Sequence, residues 1–207
     1  MLSLDEYLRE AEKAHGHLCA GQVLGVRLAM LGLDQLGIED PRGKDRKRLV
    51  TFVEIDRCAT DAIAVVTGCR LGKRALKFRD WGKMAATFVD LGTRDPGTRD
   101  LGTDAIPGKA IRIAAKESSK ALARSMHPEI EDKNKQQMLA YREMNEDDLF
   151  TRQWVKVDLP AEEFPGYKGD RIVCAECREG INFRREVLST GRTLCKACAG
   201  ERYYEPL

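Results

Sequence analysis

Four cysteines near the C-terminus, Cys174-Ala-Glu-Cys177 and Cys195-Lys-Ala-Cys198, follow the spacing C-x2-C-x17-C-x2-C. Each pair can present two thiolates from one tight turn, and together they offer four soft ligands to one tetrahedral ion. The spacing therefore predicts a structural zinc finger over residues 171–207, of a treble-clef-like type. Four sulfurs close the coordination shell and leave no position for catalysis. A redox dithiol pair and an iron–sulfur cluster are the alternatives. Between Asp170 and Leu207, seven Lys or Arg stand against six Asp or Glu, with no basic run. Such a module releases few phosphate counterions, so a stabilising or protein-docking role is expected ahead of nucleic-acid binding.

The rest of the 207-residue chain is long enough to bury its own core. Pro160, Pro165, Gly166 and Gly169 mark residues 160–170 as a linker, which leaves residues 1–159 as the main domain. The formal net charge of +2 gives no electrostatic case for nucleic acid or anionic membranes. No stretch reaches the ~18 uncharged apolar residues of a membrane span, and the N-terminus has no basic segment followed by an apolar run. Seven cysteines, an odd number, suit a reducing compartment better than a disulfide scaffold. A cytoplasmic location is expected.

Ser3-Leu-Asp-Glu6 is a capping box and predicts a helix to about His15, broken at Gly16. A second helix is expected from Cys19 or Ala20 to Gly37, with Val23, Leu24, Leu28 and Leu31 facing the core and Gly21 and Gly25 permitting close approach. Leu49-Val-Thr-Phe-Val-Glu-Ile55 reads as a strand and Thr60 to Thr67 as a short buried helix capped by Thr60. Leu76–Asp80 and Met84–Val89 are expected to pair as a hairpin. Gly92-Thr-Arg-Asp, repeated at Gly97, predicts a loop. Residues 110–115 fit either a strand or a helix start, and 117–125 a helix. Pro128 is expected to open another helix, and the polar stretch 131–144 to be exposed or to cover a second copy of the chain. Trp154 to Val157 alternates like a last strand. Helices on a mainly antiparallel sheet, an α+β core, are the expected class.

The densest chemistry lies at His15-Gly-His17-Leu-Cys19, three metal- or proton-handling side chains in five residues. A turn at Gly16 lets His17 and Cys19 converge, and the unpaired amides of a helix start would favour a Cys19 thiolate. Cys58, in a strand-to-helix turn, offers a third soft ligand. Asp61 can orient a ligating histidine or activate a bound water. His17, Cys19 and Cys58 with one open position, and His15 beside them, would form a catalytic or sensing site. Cys69 fits a small buried hydrophobe. Gly68 to Lys73 is one residue too short for a phosphate loop and has Arg74 where Ser or Thr would hold magnesium. Lys73, Lys83, Arg57 and Arg70 are candidates for docking an anionic group.

These motifs carry a resemblance. His15-Gly-His-Leu-Cys-Ala-Gly21, Gly25-Val-Arg, Cys58-Ala-Thr-Asp61-Ala-Ile, Thr67-Gly-Cys69-Arg-Leu-Gly72-Lys73 and Asp80-Trp-Gly82-Lys83 together resemble the FmdE-like family, that of the formylmethanofuran dehydrogenase E-subunit. The finger, with Ile181 and Arg184-Arg185 between its cysteine pairs, is similar to that of the Dks and TraR transcription-factor group. The family resemblance implies an α+β core followed by a finger, a homodimer, and a metal-binding cleft lined by His15, His17, Cys19, Cys58 and Asp61, with Cys69 and Lys73 nearby. Ala20 departs from the proline often found after the first motif cysteine, a residue that would fix the start of the helix. The expected function is that of a zinc-binding accessory protein with a second divalent metal, zinc, in the core. Metal or cofactor handling or sensing, for a molybdenum or tungsten oxidoreductase or its maturation machinery, would be its task. An enzyme using Cys19, Cys58 and Asp61 is the alternative, and a zinc-finger regulator the third reading.

Overall fold

The Ser3 hydroxyl accepts the Glu6 amide while the Glu6 carboxylate accepts the Ser3 amide at 2.8 Å, so α1 (Leu4–His15) starts at the capping box. It ends at Gly16, whose φ of +97° is left-handed. The computed structural model describes residues 1–92 and 109–206, so the Gly-Thr-Arg-Asp repeat from residue 93 onward lies outside the described residues. The chain divides into two compact units, Met1–Asp158 and Leu159–Leu207.

In the first unit, α2 (Ala20–Leu36) follows with Cys19 as its N-cap and Gly37 at its end. β1 (Leu49–Val53) leads into α3 (Cys58–Thr67), which returns the chain to β2 (Leu76–Phe78), parallel to β1. β3 (Ala85–Asp90), β4 (Lys109–Ala115) and β5 (Phe150–Val155) complete a five-stranded sheet of order β2-β1-β3-β4-β5. Its three remaining pairings are antiparallel. Between β4 and β5 lie α4 (Ser118–Met126), α5 (Lys133–Glu143) and the single turn α6 (Glu146–Leu149).

The α+β class holds, and several local expectations are corrected. Residues 76–80 and 84–89 form no hairpin, because β1 inserts between them and pairs with each. A crossover helix lets β2 run parallel to β1. Residues 110–115 are strand. α3 begins at Cys58 rather than Thr60, whose hydroxyl instead donates back to the Ile55 carbonyl. Pro128 precedes α5 without opening it. Asp132 caps that helix by accepting the Lys135 amide at 2.7 Å.

α2 is the central helix, with twelve buried positions. Small residues let it lie close to both neighbours. A Cβ on Gly25 would sit 2.5 Å from the Ala59 carbonyl of α3, and one on Gly32 would sit 2.2 Å from the Phe88 ring of β3. Ala86, Phe88, Ile111 and Ile113 supply the sheet's side of this core. Glu54, 2% exposed, is held by two guanidinium nitrogens of Arg112, Nε at 2.7 Å and Nη2 at 2.6 Å. That bidentate geometry is what a buried carboxylate requires.

The second unit opens with a 3-10 turn (Ala161–Glu163) and contains two short hairpins, β6 (Ile172–Val173) with β7 (Gly180–Ile181), and β8 (Val187–Ser189) with β9 (Arg192–Leu194). Thr190 and Gly191 both have positive φ, as a two-residue hairpin turn matching strand twist requires. Its buried apolar cluster consists of Cys174, Ile181 and Leu194.

Candidate functional site

The second unit brings its four cysteines together, with all four sulfurs within 4.8 Å of one another. Cys177 Sγ lies 3.8 Å from Cys195 Sγ. Sulfurs about 2.3 Å from a tetrahedral zinc lie about 3.8 Å apart, so the cluster has the dimensions of such a shell. Each pair sits in a turn, and backbone amides point at the sulfurs: Cys195 N to Cys174 Sγ at 3.2 Å and Cys198 N to Cys195 Sγ at 3.4 Å. The Cys195 amide leads in holding the Cys174 thiol down to about 6, while desolvation and the neighbouring thiols push Cys198 up to about 12. Four adjacent thiols cannot all ionise unaided, and a cation is what allows them to.

In the first unit the ligand atoms of His15, His17 and Cys19 also lie within 4.8 Å of one another. The left-handed Gly16 reverses the chain between the end of α1 and the start of α2 and so folds the three side chains onto one spot. The two imidazole centroids are 4.9 Å apart. Asp61, one turn into α3, accepts from His15 Nδ1 at 2.8 Å. A carboxylate there fixes the Nδ1–H tautomer and leaves Nε2 as the free lone pair, the usual arrangement behind a metal-bound histidine. Ligand atoms on a tetrahedral ion of this type lie about 3.3–3.8 Å apart, so small side-chain rotations close the trio on an ion. Two nitrogens and one sulfur leave the fourth position for an outside ligand.

Cys58 lies outside that trio. It begins α3 opposite the start of α2, where a Cβ on Gly21 would sit 3.4 Å from Cys58 Cβ and 3.8 Å from Cys19 Sγ. Desolvation first, and then its interaction with the Cys19 thiol, raises the Cys58 pKa. Cys69 is buried, accepts from Thr51 Oγ1 at 3.5 Å, and is pushed up by desolvation, as a structural thiol would be. Lys73, Arg57 and Arg70 are exposed, and Lys83 sits 5.6 Å from the centre of the Trp81 ring; none belongs to the trio.

One neighbour of the trio is not legible in the local sequence. Asn134, in the first turn of α5, accepts the Ala20 amide at 3.0 Å. Its partner lies 114 positions away, so no periodicity or motif near either residue signals the contact.

The trio lies inside a stretch matched by a protein-family model. A family model described as "FmdE, Molybdenum formylmethanofuran dehydrogenase operon" matches residues 14–151. A protein from Archaeoglobus fulgidus described as "Probable S-adenosyl-L-methionine-binding protein" is 38% identical over 87 residues, which are 42% of this chain and 24% of that protein. The match therefore spans about a quarter of that relative's length. The crystal structure of a tungsten formylmethanofuran dehydrogenase FmdE-like protein from Syntrophus aciditrophicus superposes with a TM-score of 0.63. The superposition covers 99% of this chain and 96% of that one at 20% identity, a likeness of fold.

Proposed function

This chain belongs to the FmdE family, and on that premise we propose that it is a metal-binding accessory protein serving a molybdenum or tungsten oxidoreductase or its maturation machinery. The observation that carries the proposal is the His15–His17–Cys19 trio, with Asp61 hydrogen-bonded to His15 Nδ1 behind it. In this reading the trio holds a divalent ion, zinc by its mixed nitrogen and sulfur donors, while Cys174, Cys177, Cys195 and Cys198 hold a structural zinc. A three-ligand site suits exchange, which fits metal or cofactor handling or sensing. The protein acts as a cytoplasmic homodimer, with residues 1–159 as the working domain and residues 171–207 as a protein-docking finger.

A metal ion at the trio would supply a Lewis acid and an exchangeable coordination position. The chain's own residues provide the rest. Asp61 holds His15, Gly16 sets the approach of His17, and the start of α2 presents Cys19. Asp61 is engaged with His15 Nδ1, so its role here is orientation rather than proton abstraction. The enzymatic alternative with a Cys58 nucleophile has less support, because desolvation and the neighbouring Cys19 thiol raise the Cys58 pKa, which works against the thiolate.

Metal content per full-length chain, purified without added metal, tests the reading. Two ions per chain are expected for the native sequence and one for Cys19→Ala. Two ions retained by Cys19→Ala would refute the core site.

A further inference from the structure

A helix start usually has its exposed amides met by the oxygen of its own N-cap side chain. In α2 the N-cap is Cys19, whose sulfur makes no capping hydrogen bond. The amide of Ala20, a residue 6% exposed, is met by Asn134 Oδ1 instead. The acceptor must be the oxygen, because the backbone N–H is the donor.

Asn134 is held in place from the far end of its helix. Arg27, two turns along α2 from Ala20, donates from Nη1 to the carbonyls of Tyr141 at 2.7 Å and Met144 at 2.6 Å. Those carbonyls end α5. One polar contact at the start of α2 and one at the end of α5 hold the two helices side by side and running the same way. α5 has no broad apolar stripe and buries Gln136, Ala140 and Tyr141. Its place on α2 is set by these polar contacts together with Ala140 and Tyr141, which join the core.

Resting on the reading of Cys19 as a metal ligand, we propose that Asn134 is the positioning residue for that ligand. It meets the Ala20 amide, the first N–H of the helix, whereas a Ser, Thr or Asp at position 19 would accept from Gly21 or Gln22, as Ser3 does from Glu6 in α1. The Cys19 sulfur makes no capping bond and is left for ligation, and the Asn134 contact fixes the Cys19–Ala20 peptide in the orientation that aims Cys19 at His15 and His17. Capping and ligation are divided between two residues far apart in the chain. α5, the helix that the sequence presents as a polar surface element, becomes part of the metal site's support.

The test uses full-length protein with the finger loaded with zinc, titrated with Co(II) as the probe, with Cys19→Ala as the baseline. Asn134→Ala and Asn134→Leu are expected to weaken the Cys19-dependent Co(II) site about tenfold and to shift its sulfur-to-cobalt charge-transfer band. Asn134→Asp keeps the acceptor oxygen and should restore both. Arg27→Gln loosens the other end of α5 without touching the Ala20 amide. It should lower thermal stability at least as much as Asn134→Ala does while costing less Co(II) affinity. Native affinity and spectrum in Asn134→Ala, or affinity losses that merely follow stability losses across the variants, would overturn the proposal. Identical titrations of the native protein and Cys19→Ala would instead overturn the metal-site reading, and the proposal with it.

Discussion

The two cysteine-bearing regions of this molecule present their candidate metal ligands in opposite ways. In the second unit the buried apolar cluster is Cys174, Ile181 and Leu194, so one of the four cysteines is part of it, and Cys195 and Cys198 pack against it. In the first unit the trio sits at one edge of a large core built by α1, α2, α3 and the sheet, and none of its three ligands is among the buried residues of that core. The finger has almost nothing to bury without an ion, whereas the core domain folds around Val26, Leu28, Phe88 and Ile111 whether or not an ion is bound. A metal that is the core of a domain is structural. A metal at the edge of a preformed core can leave without unfolding it, which an exchange or sensing role requires.

The largest expected effect separates the two regions directly. Structural zinc contributes about 10–16 kcal/mol of apparent binding free energy in isolated fingers, so strong chelation or Cys195→Ser should unfold the finger. Amide hydrogen exchange should then show lost protection over residues 172–194 and unchanged protection over β3 and β4. Loss of protection in β3 and β4 together with the finger would break the comparison.

The reverse experiment attacks the core by packing alone. A methyl at Gly25 would meet the Ala59 backbone, and overpacking of this kind costs about 1–3 kcal/mol. Gly25→Ala should lower the core's thermal midpoint while the finger keeps its metal, measured by calorimetry and metal analysis on the same sample. Because Gly25 governs the approach of α2 to α3, the same change should also weaken the Cys19-dependent site.

Removing an orienting group gives a smaller effect. Asp61→Ala frees His15 Nδ1 and is expected to weaken the core metal site by about tenfold, about 1.4 kcal/mol, leaving the thermal midpoint of the metal-free protein unchanged. A competition titration against a chelator checks this, and unchanged affinity would remove Asp61 from the site.

The smallest effect concerns acid. Burial would raise the Asp45 pKa, but the Asp40 amide at 3.1 Å and Arg48 at 3.0 Å outweigh it and hold the carboxyl below its ordinary value. A lowered folded pKa means a contribution present above the unfolded value and lost as pH falls through the folded one. Asp45→Asn should therefore reduce core stability near neutrality, and the difference from the native protein should shrink below the ordinary carboxylate range. The finger's metal content should not change with this substitution at neutral pH.

Local devices were legible in the sequence because each is complete within a few residues. The capping box at Ser3 and Glu6, the helix stops at Gly16 and Gly37, the β1 run and the C-x2-C pairs all appear where the chain alone put them. The supposed hairpin of residues 76–89 failed for the opposite reason. Strand adjacency is decided by which edge of β1 is free, and nothing inside residues 76–89 records that β1 lies between them. Residues 131–144 carry a weak apolar pattern because α5 commits few side chains to the core, Ala140 and Tyr141 among them, and adds the Asn134 and Arg27 contacts with α2.

The sequence by itself determined the inventory of candidate ligands: which side chains can bind metal, that four cysteines have the spacing of a closed shell, and that a glycine lets His15, His17 and Cys19 turn together. Spacing decides these because ligands in one turn need no distant partner. Only the tertiary structure decided that His15 rather than Cys58 completes the trio, that Asp61 fixes the His15 tautomer, and that Asn134 caps the helix carrying Cys19. Each of those depends on helices meeting across 46 or 114 positions of chain. Their meeting is a property of the folded core, in which α2 lies close to α3 at Gly25 and to β3 at Gly32, rather than of any segment within it.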